Sequence, residues 1–257
     1  MSITRTSRKP TVVLVHGAFA DSSSWDGIVD LLLEDDFPVL AVANPLRGVR
    51  ADSEHLASVL DGLPGDLVLV GHSYGGMLIS NAATGNDCVK ALVFVGAFAP
   101  EAGEDAAELA GRYEGSTLAE TLNAVSLPDG GTDLYIAQDR YHAQFAADVS
   151  VRVAERMAAT QRPIAAAALA EASGTPAWRT IPSWFTFGTG DRNIPVDALR
   201  FMAERAGSQR TVELQGASHV VAVTEAAAIA ALIGEAAEAA ASRSNGRVDV
   251  ERVEVGS

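Results

Sequence analysis

The sequence predicts an α/β protein with a doubly wound, mostly parallel sheet, and three observations lead to this fold class. Short β-branched runs alternate with helical stretches in the first hundred residues. The same alternation resumes after residue 183, whereas residues 101–182 are rich in Ala and Glu and broken by Gly and Pro. We therefore expect a discontinuous core, residues 11–100 and 183–240, with a helical cap inserted at residues 101–182.

Each core element has its own signal in the sequence. Apolar runs that end at turn residues predict strands at residues 11–15, 39–42, 67–70, 89–95, 183–187 and 210–214. Amphipathic spacing predicts helices near residues 25–33, 53–60, 74–83 and 196–206, and a last helix from about residue 220. The strand-helix alternation implies right-handed crossovers. Residues 241–257 are charged and lack helical periodicity, so we expect a flexible tail.

Composition narrows the classes of partner and compartment. The net charge of −14, without a cluster of Lys or Arg, argues against nucleic acid and anionic membrane surfaces as partners. Cys88 is the single cysteine, which excludes an intramolecular disulfide and suits a reducing compartment. The first residues carry no export signal, so we expect a cytoplasmic protein. Composition leaves the oligomeric state open.

The strongest local pattern is Gly-His-Ser-Tyr-Gly-Gly at residues 71–76, which fits G-x-S-x-G between a predicted strand and a predicted helix. Glycines permit the strained strand-to-helix turn, which would lift the Ser73 hydroxyl above the sheet at the positive end of the helix. A surface serine loop is the alternative, but the strand-turn-helix context favours a nucleophile. Ser73 is therefore the candidate catalytic serine.

A serine hydroxyl needs a base to accept its proton. His72 adjoins the serine and is expected to point away from it, and the other three alternatives are assigned elsewhere: His16 to the first loop, His55 to an outer helix and His142 to the cap. His219 follows the last predicted strand, at the carboxyl edge of the sheet where ligands bind in such folds. The sequence therefore favours His219 as the general base.

The third group must orient that base. Asp191 follows the preceding strand and gives the chain order Ser, Asp, His, whereas the rival Asp197 falls in the first turn of a helix. The oxyanion hole is expected to use the backbone N–H groups of Tyr74 and Ala18. His16 and Gly17 are expected to shape the loop that presents Ala18.

These motifs resemble the α/β-hydrolase superfamily over nearly all of residues 11–240. Leu-Val-His-Gly-Ala at residues 14–18, followed by Ser24-Trp25, is similar to the branch of plant methyl-ester esterases, hydroxynitrile lyases and their bacterial relatives. The resemblance implies small carboxylic esters as substrates and no cofactor. Lyases of this branch carry threonine at the position of Gly17 and lysine at that of Val220, so hydrolysis is favoured here.

Candidate pocket residues are less specific. Phe19 and Phe98 flank the expected catalytic edge, and the cap aromatics include Tyr135, His142 and Trp178. No metal-ligand spacing and no phosphate loop is present, so no metal is expected. A cofactor-free perhydrolase or haloperoxidase-like enzyme, or a slow-turnover ligand-binding protein, is the alternative to an esterase. The natural ester and its acyl length are left open.

Overall fold

The computed structural model describes the backbone of residues 9–250 and the side chains of residues 9–242. The strands in chain order are β1 Thr11–Val15, β2 Val39–Val42, β3 Leu67–His72, β4 Val89–Val95, β5 Leu122–Ser126, β6 Thr132–Ile136, β7 Ile164–Ala165, β8 Ser183–Gly188 and β9 Arg210–Leu214. The helices are α1 Asp26–Glu34, α2 Val49–Asp61, α3 Gly75–Ala82, α4 Ala106–Gly111, α5 Gln138–Phe145, α6 Val151–Thr160, α7 Ala166–Leu169, α8 Val196–Arg205, α9 Val221–Thr224 and α10 Ala226–Val250.

A parallel sheet with the strand order β2-β1-β3-β4-β8-β9 forms the core. The sheet grows in opposite directions from its middle, because the chain passes from β1 to the edge strand β2 and then returns to β3 on the other side of β1. The register sets Val15 of β1 beside Gly71 of β3. The loops that leave these two strands therefore meet at the switch point of the sheet, where ligands bind in doubly wound folds.

Alternation along the strands divides the core into two layers. Val12 and Leu14 face one side, where they pack in a cluster with Trp25 and Ile28 at the start of α1 and with apolar residues of α10. The neighbouring strand residues face the opposite side, which is covered by α2, α3, α8 and the cap. Two buried faces explain why the inner strands β1 and β3 contain continuous apolar runs.

The cap between β4 and β8 differs from the helical cap that composition predicts. It contains a three-stranded antiparallel sheet, β5-β6-β7, beside the helices α4 to α7. In the turn between β5 and β6, the Leu127 N–H donates to the Gly131 carbonyl oxygen at 2.8 Å and the Gly130 N–H donates to the Leu127 carbonyl oxygen at 3.0 Å, and Gly130 adopts a φ of +86°. The Pro-Asp-Gly-Gly sequence at residues 128–131 was a hairpin signal that the Ala-rich composition of the region obscured.

The C-terminal part also differs from the sequence prediction. Helix α10 continues to Val250, so the first ten residues of the predicted flexible tail have a helical backbone. Residues 251–257 lie outside the described residues. Over the part of the chain that is described, none of the helices is both long and apolar enough to cross a membrane.

Candidate active site

The candidate nucleophile stands on a strained turn. Ser73 lies between β3 and α3 with a φ of +53°, a region that non-glycine residues rarely adopt. Hydrogen bonds hold the turn on both sides, since the Ser73 N–H donates to Val95 O at 3.3 Å and the Phe98 N–H donates to Ser73 O at 3.2 Å. The strain is therefore supported by the neighbouring strand β4 and by the loop that follows it.

Close backbone contacts explain the glycines beside Ser73. A Cβ atom on Gly75 would lie 2.4 Å from the Val15 carbonyl oxygen, and one on Gly17 would lie 2.6 Å from Ser73 Cβ. Side chains at either position would separate the turn from the loop after β1. The two loops therefore meet in backbone contact at the candidate site.

His219 and Asp191 form a buried pair beside this turn. The His219 Nδ1–H donates to Asp191 Oδ2 at 2.6 Å, and the backbone N–H groups of Asn193 and Ile194 donate to Asp191 Oδ1 at 2.7 and 3.1 Å. Both side chains are 1% exposed. Because Nδ1 carries the hydrogen in this bond, Nε2 of the neutral imidazole is left with a lone pair that can accept a proton.

The rival acid lies elsewhere. Asp197, in the first turn of α8, forms an ion pair with Arg200 at 3.0 Å, and its side chain is 62% exposed. Asp197 therefore forms a surface ion pair in the first turn of a helix, where the sequence placed it. Asp191 is the carboxylate that contacts His219.

His72 supports the other side of His219. The rings lie 4.7 Å apart, and the His72 Nε2–H donates to the His219 carbonyl oxygen at 3.0 Å. Burial, followed by the charge of His219, lowers the pKa of His72 well below its usual range, so His72 is neutral. The expectation that His72 only points away from Ser73 missed this contact with the backbone of His219.

A second buried histidine fixes the loop after β1. His16 Nε2 accepts the Asn44 N–H at 3.0 Å, so Nδ1 carries the hydrogen and donates to the Gly17 carbonyl oxygen at 2.9 Å. Burial is the main cause that lowers the pKa of His16 and keeps it neutral. Since the C=O and N–H of a trans peptide point in opposite directions, this bond also orients the Ala18 N–H.

The two expected oxyanion donors are available. In the hydrogen-bond pattern of residues 9–250, neither the Ala18 N–H nor the Tyr74 N–H has a protein acceptor. Both residues are buried and line the same cavity as Ser73. Their N–H groups can therefore donate hydrogen bonds to a ligand oxygen.

A cavity of about 560 Å³ opens onto Ser73 and His219. Its walls are mostly apolar and combine loops that follow the core strands β1, β3, β4, β8 and β9 with the cap segments around α4, α5 and α7. The lining residues are Ala18, Phe19, Ser73, Tyr74, Phe98, Ala106, Ala107, Ala110, Gly111, Arg112, Tyr113, Glu114, Gly115, Ser116, Leu118, Ala119, Leu122, Phe145, Leu169, Asn193, Ile194 and His219. The volume lies within the range of cavities that hold drug-sized ligands, roughly 300–1,000 Å³.

A family model described as "Alpha/beta hydrolase family" matches residues 12–232. The chain belongs to the alpha/beta hydrolase family. The fold class and the family that the motifs suggested are confirmed by this match and by the parallel sheet. The comparison with curated proteins gave no significant match.

Solved structures share the fold of this alpha/beta hydrolase at low sequence identity. Polyneuridine aldehyde esterase is 21% identical with a TM-score of 0.76, and the match covers 88% of this chain and 98% of that one. A methylesterase from Arabidopsis is 16% identical with a TM-score of 0.74, covering 89% and 99%. Tomato methylketone synthase I, in complex with 2-tridecanone, is 19% identical with a TM-score of 0.71, covering 90% and 98%. At these identities the likeness shows the fold alone.

The hydrolase fold places only part of the predicted pocket at the cavity. Phe19 and Phe98 line it, as expected. His142 Nε2 instead contacts the Val149 carbonyl oxygen, and Tyr135 lies in the cap strand β6, neither of them among the lining residues. Trp178 is buried behind the site, where its Nε1–H donates to the Pro100 carbonyl oxygen. The structure therefore does not bring these three residues to the cavity lining, because sequence position does not tell which face of a cap element meets the core.

The cap supplies a contact that the sequence gave no signal for. The exposed cap residue Asp148 accepts two hydrogen bonds from Ser218, one from its N–H at 2.8 Å and one from its Oγ–H at 2.5 Å. Ser218 directly precedes His219. The cap loop after α5 therefore holds the backbone beside the candidate base, a link between residues seventy positions apart that no local motif reports.

Proposed function

We propose that this alpha/beta hydrolase cleaves carboxylic esters through an acyl-Ser73 intermediate, with His219 as general base and Asp191 as the group that orients it. One observation carries the proposal. Ser73, on its strained turn, shares a cavity with His219, and the Nδ1–H of His219 is held by the buried carboxylate of Asp191. This is the arrangement of nucleophile, base and orienting acid that acyl transfer requires.

In the first half-reaction, His219 Nε2 accepts the Ser73 hydroxyl proton while Ser73 Oγ attacks the ester carbonyl carbon. The carbonyl oxygen becomes negative and accepts hydrogen bonds from the Ala18 and Tyr74 N–H groups. Loss of one such donor typically costs about 2.7–4 kcal/mol of transition-state stabilisation. The tetrahedral intermediate collapses as His219 donates its proton to the leaving alcohol, which leaves Ser73 acylated.

In the second half-reaction, His219 Nε2 accepts a proton from water, whose oxygen attacks the acyl carbonyl. The second tetrahedral intermediate releases the carboxylic acid, and the proton returns from His219 to Ser73 Oγ. Asp191 does not change protonation state in this cycle, because its role is to hold the tautomer and stabilise the imidazolium. The buried histidines His16 and His72 are neutral and hold backbone groups, so they do not compete for the proton.

The comparisons support esters as the substrate class, since two of the similar folds are an esterase and a methylesterase by name. Slow turnover, as in a ligand-binding protein on the same fold, and perhydrolysis by the same triad are the competing hypotheses. Both hypotheses retain Ser73 as a reactive group. The ligand-binding hypothesis differs from the proposal in the rate of turnover, and the perhydrolase hypothesis differs in the molecule that accepts the acyl group.

The test combines covalent labelling with turnover. Wild type, Ser73→Ala and the control Ser58→Ala, an exposed serine of α2, are treated with a fluorophosphonate probe and assayed with p-nitrophenyl acetate and butyrate. We expect labelling and turnover in wild type and Ser58→Ala, and neither in Ser73→Ala.

Each other outcome has a distinct meaning. Labelling of Ser73 without turnover supports the ligand-binding hypothesis. Rapid peracid formation from the ester and hydrogen peroxide, at the expense of hydrolysis, supports the perhydrolase hypothesis. Turnover that survives in Ser73→Ala refutes the acyl-serine mechanism.

A further inference from the structure

The chemistry of the cavity walls limits what its occupant can carry. We infer that the substrate is a neutral ester with a long or bulky apolar group, and that esters bearing a carboxylate on that group are rejected. This inference rests on the proposed function and names the substrate class of the same site. It follows from the hydrogen bonds of the polar side chains that line the cavity.

In the buried part of the cavity, the polar side chains other than Ser73 and His219 are already bonded to protein. Tyr74 lines the cavity, but its hydroxyl donates to the buried carboxylate of Asp52 at 3.1 Å. The side chain of Asn193 is bonded to Gln144 in both directions. The Gln144 side-chain amide donates to Asn193 Oδ1 at 3.2 Å, and the Asn193 side-chain amide donates to the Gln144 backbone carbonyl oxygen at 3.4 Å. A polar group on the substrate would therefore lose water there without gaining a partner.

The apolar part of the wall is large. Phe19, Phe98, Phe145 and Ile194 are buried and line the cavity, and Leu118, Leu122 and Leu169 of the cap complete it. A cavity of about 560 Å³ is larger than an acetyl or methyl ester needs. An apolar chain that fills it is the group that the walls recognise.

The charged residues of the mouth offer no free cation. The guanidinium of Arg112 donates to Glu104 at 2.9 Å and to Glu108 at 3.1 Å, and it lies 5.0 Å from the Phe201 ring centroid. Glu114, the other charged lining residue at the mouth, is exposed and acidic. The whole chain carries a net charge of −14. An anionic substrate therefore meets repulsion at the entrance and no counter-charge inside.

The test compares neutral and anionic esters of matched length. The acyl-side pair is p-nitrophenyl octanoate with mono-p-nitrophenyl suberate, and the alcohol-side pair is octyl acetate with 8-acetoxyoctanoate. The cavity takes either the acyl or the alcohol group of the ester, and the selectivity is expected in the pair that varies that group. In this pair, kcat/KM is expected to be at least about 30-fold lower for the anionic ester than for the neutral ester, because an unpaired buried charge is costly. Lengthening the neutral chain is expected to raise kcat/KM by about fourfold per methylene group until the cavity is full.

A variant tests whether the walls cause this selectivity. Leu118→Lys places a cation on the half-buried cap wall, from which the ammonium group can reach the mouth. We expect this substitution to raise kcat/KM for the anionic ester, relative to kcat/KM for the neutral ester, at least tenfold. The control Val125→Lys adds the same charge at a 47% exposed cap position outside the cavity lining and is expected to leave the ratio unchanged.

The outcomes separate this inference from the proposed function. Equal kcat/KM values within both pairs, or equal shifts in the two lysine variants, would overturn the inference while labelling of Ser73 and acetate hydrolysis still support the esterase. Loss of labelling and of all ester hydrolysis in folded wild type would instead refute the proposed function itself.

Discussion

Substitution of Gly17 by alanine tests whether the loop after β1 must touch the nucleophile turn. The added Cβ would lie 2.6 Å from Ser73 Cβ and 2.9 Å from the His72 carbonyl oxygen, so loop and turn must separate by about 0.8 Å to reach ordinary contact at 3.4 Å. The turn has little room to retreat, because Gly76 already packs against the loop after β4, where an added Cβ would lie 2.4 Å from the Phe98 carbonyl oxygen. The added methyl group therefore displaces the Ala18 N–H from the oxyanion position.

The expected loss follows from that displacement. Removing one oxyanion donor lowers kcat by about 10²–10³-fold, and a misplacement of about 1 Å lowers it by about 10²-fold. We therefore expect kcat of Gly17→Ala to fall about 100-fold. The overpacking is expected to lower the free energy of unfolding by about 1–3 kcal/mol, which a typical domain of 5–15 kcal/mol tolerates.

The assay is steady-state hydrolysis of p-nitrophenyl butyrate, with near-UV circular dichroism to verify that the variant is folded. Gly234→Ala is the control, since a Cβ there has no heavy atom within 4 Å, and its kcat is expected to match wild type. A folded Gly17→Ala enzyme with kcat within about threefold of wild type would refute the argument that close contact between loop and turn sets the oxyanion hole.

Four further substitutions test the supporting contacts. Asp191→Asn is expected to keep the fold and lower kcat about 10³–10⁴-fold, while Asp197→Asn changes kcat less than threefold; the reverse pattern in ester assays would reassign the acid. Asp148→Asn weakens the hold of the cap on the His219 loop, so kcat is expected to fall about tenfold with little change in KM, and an unchanged kcat would contradict this. Tyr74→Phe removes a hydrogen bond to a buried carboxylate and is expected to lower the free energy of urea unfolding by about 1–3 kcal/mol, with labelling of Ser73 retained. Loss of Ser73 labelling in the folded Tyr74→Phe variant would show that the Tyr74 hydroxyl also acts in the site.

Several core elements match their sequence predictions to the residue. The strands at residues 11–15, 39–42, 89–95 and 210–214 have the predicted bounds. Strands β1 and β4 are largely buried, and the edge strands β2 and β9 are half-buried or partly exposed, but all four runs end at turn residues, so the sequence marks their limits clearly. The cap was less predictable, because its short strands β5 and β6 are mostly exposed or half-buried and carry a weaker apolar signal.

The candidate triad was predictable for a related reason. Ser73, Asp191 and His219 each follow a predicted core strand, and the carboxyl ends of parallel strands meet at one edge of the sheet. The supporting contacts had no comparable signal. The hydrogen bonds from Ser218 to Asp148 and from Asn44 to His16 join residues that are distant in sequence and belong to no repeated motif.

Apolar periodicity and glycine positions act locally along the chain, so they indicate the layering of the core, the strained turn at Ser73 and the order of the candidate triad without reference to distant contacts. The shape and polarity of the cavity instead depend on how distant segments pack together. Which cap side chains face Ser73 depends on how the cap packs across the sheet edge, and whether a polar wall residue is free depends on partners such as Asp52 and Gln144. Substrate selectivity in this alpha/beta hydrolase therefore arises from long-range packing, which no local pattern encodes.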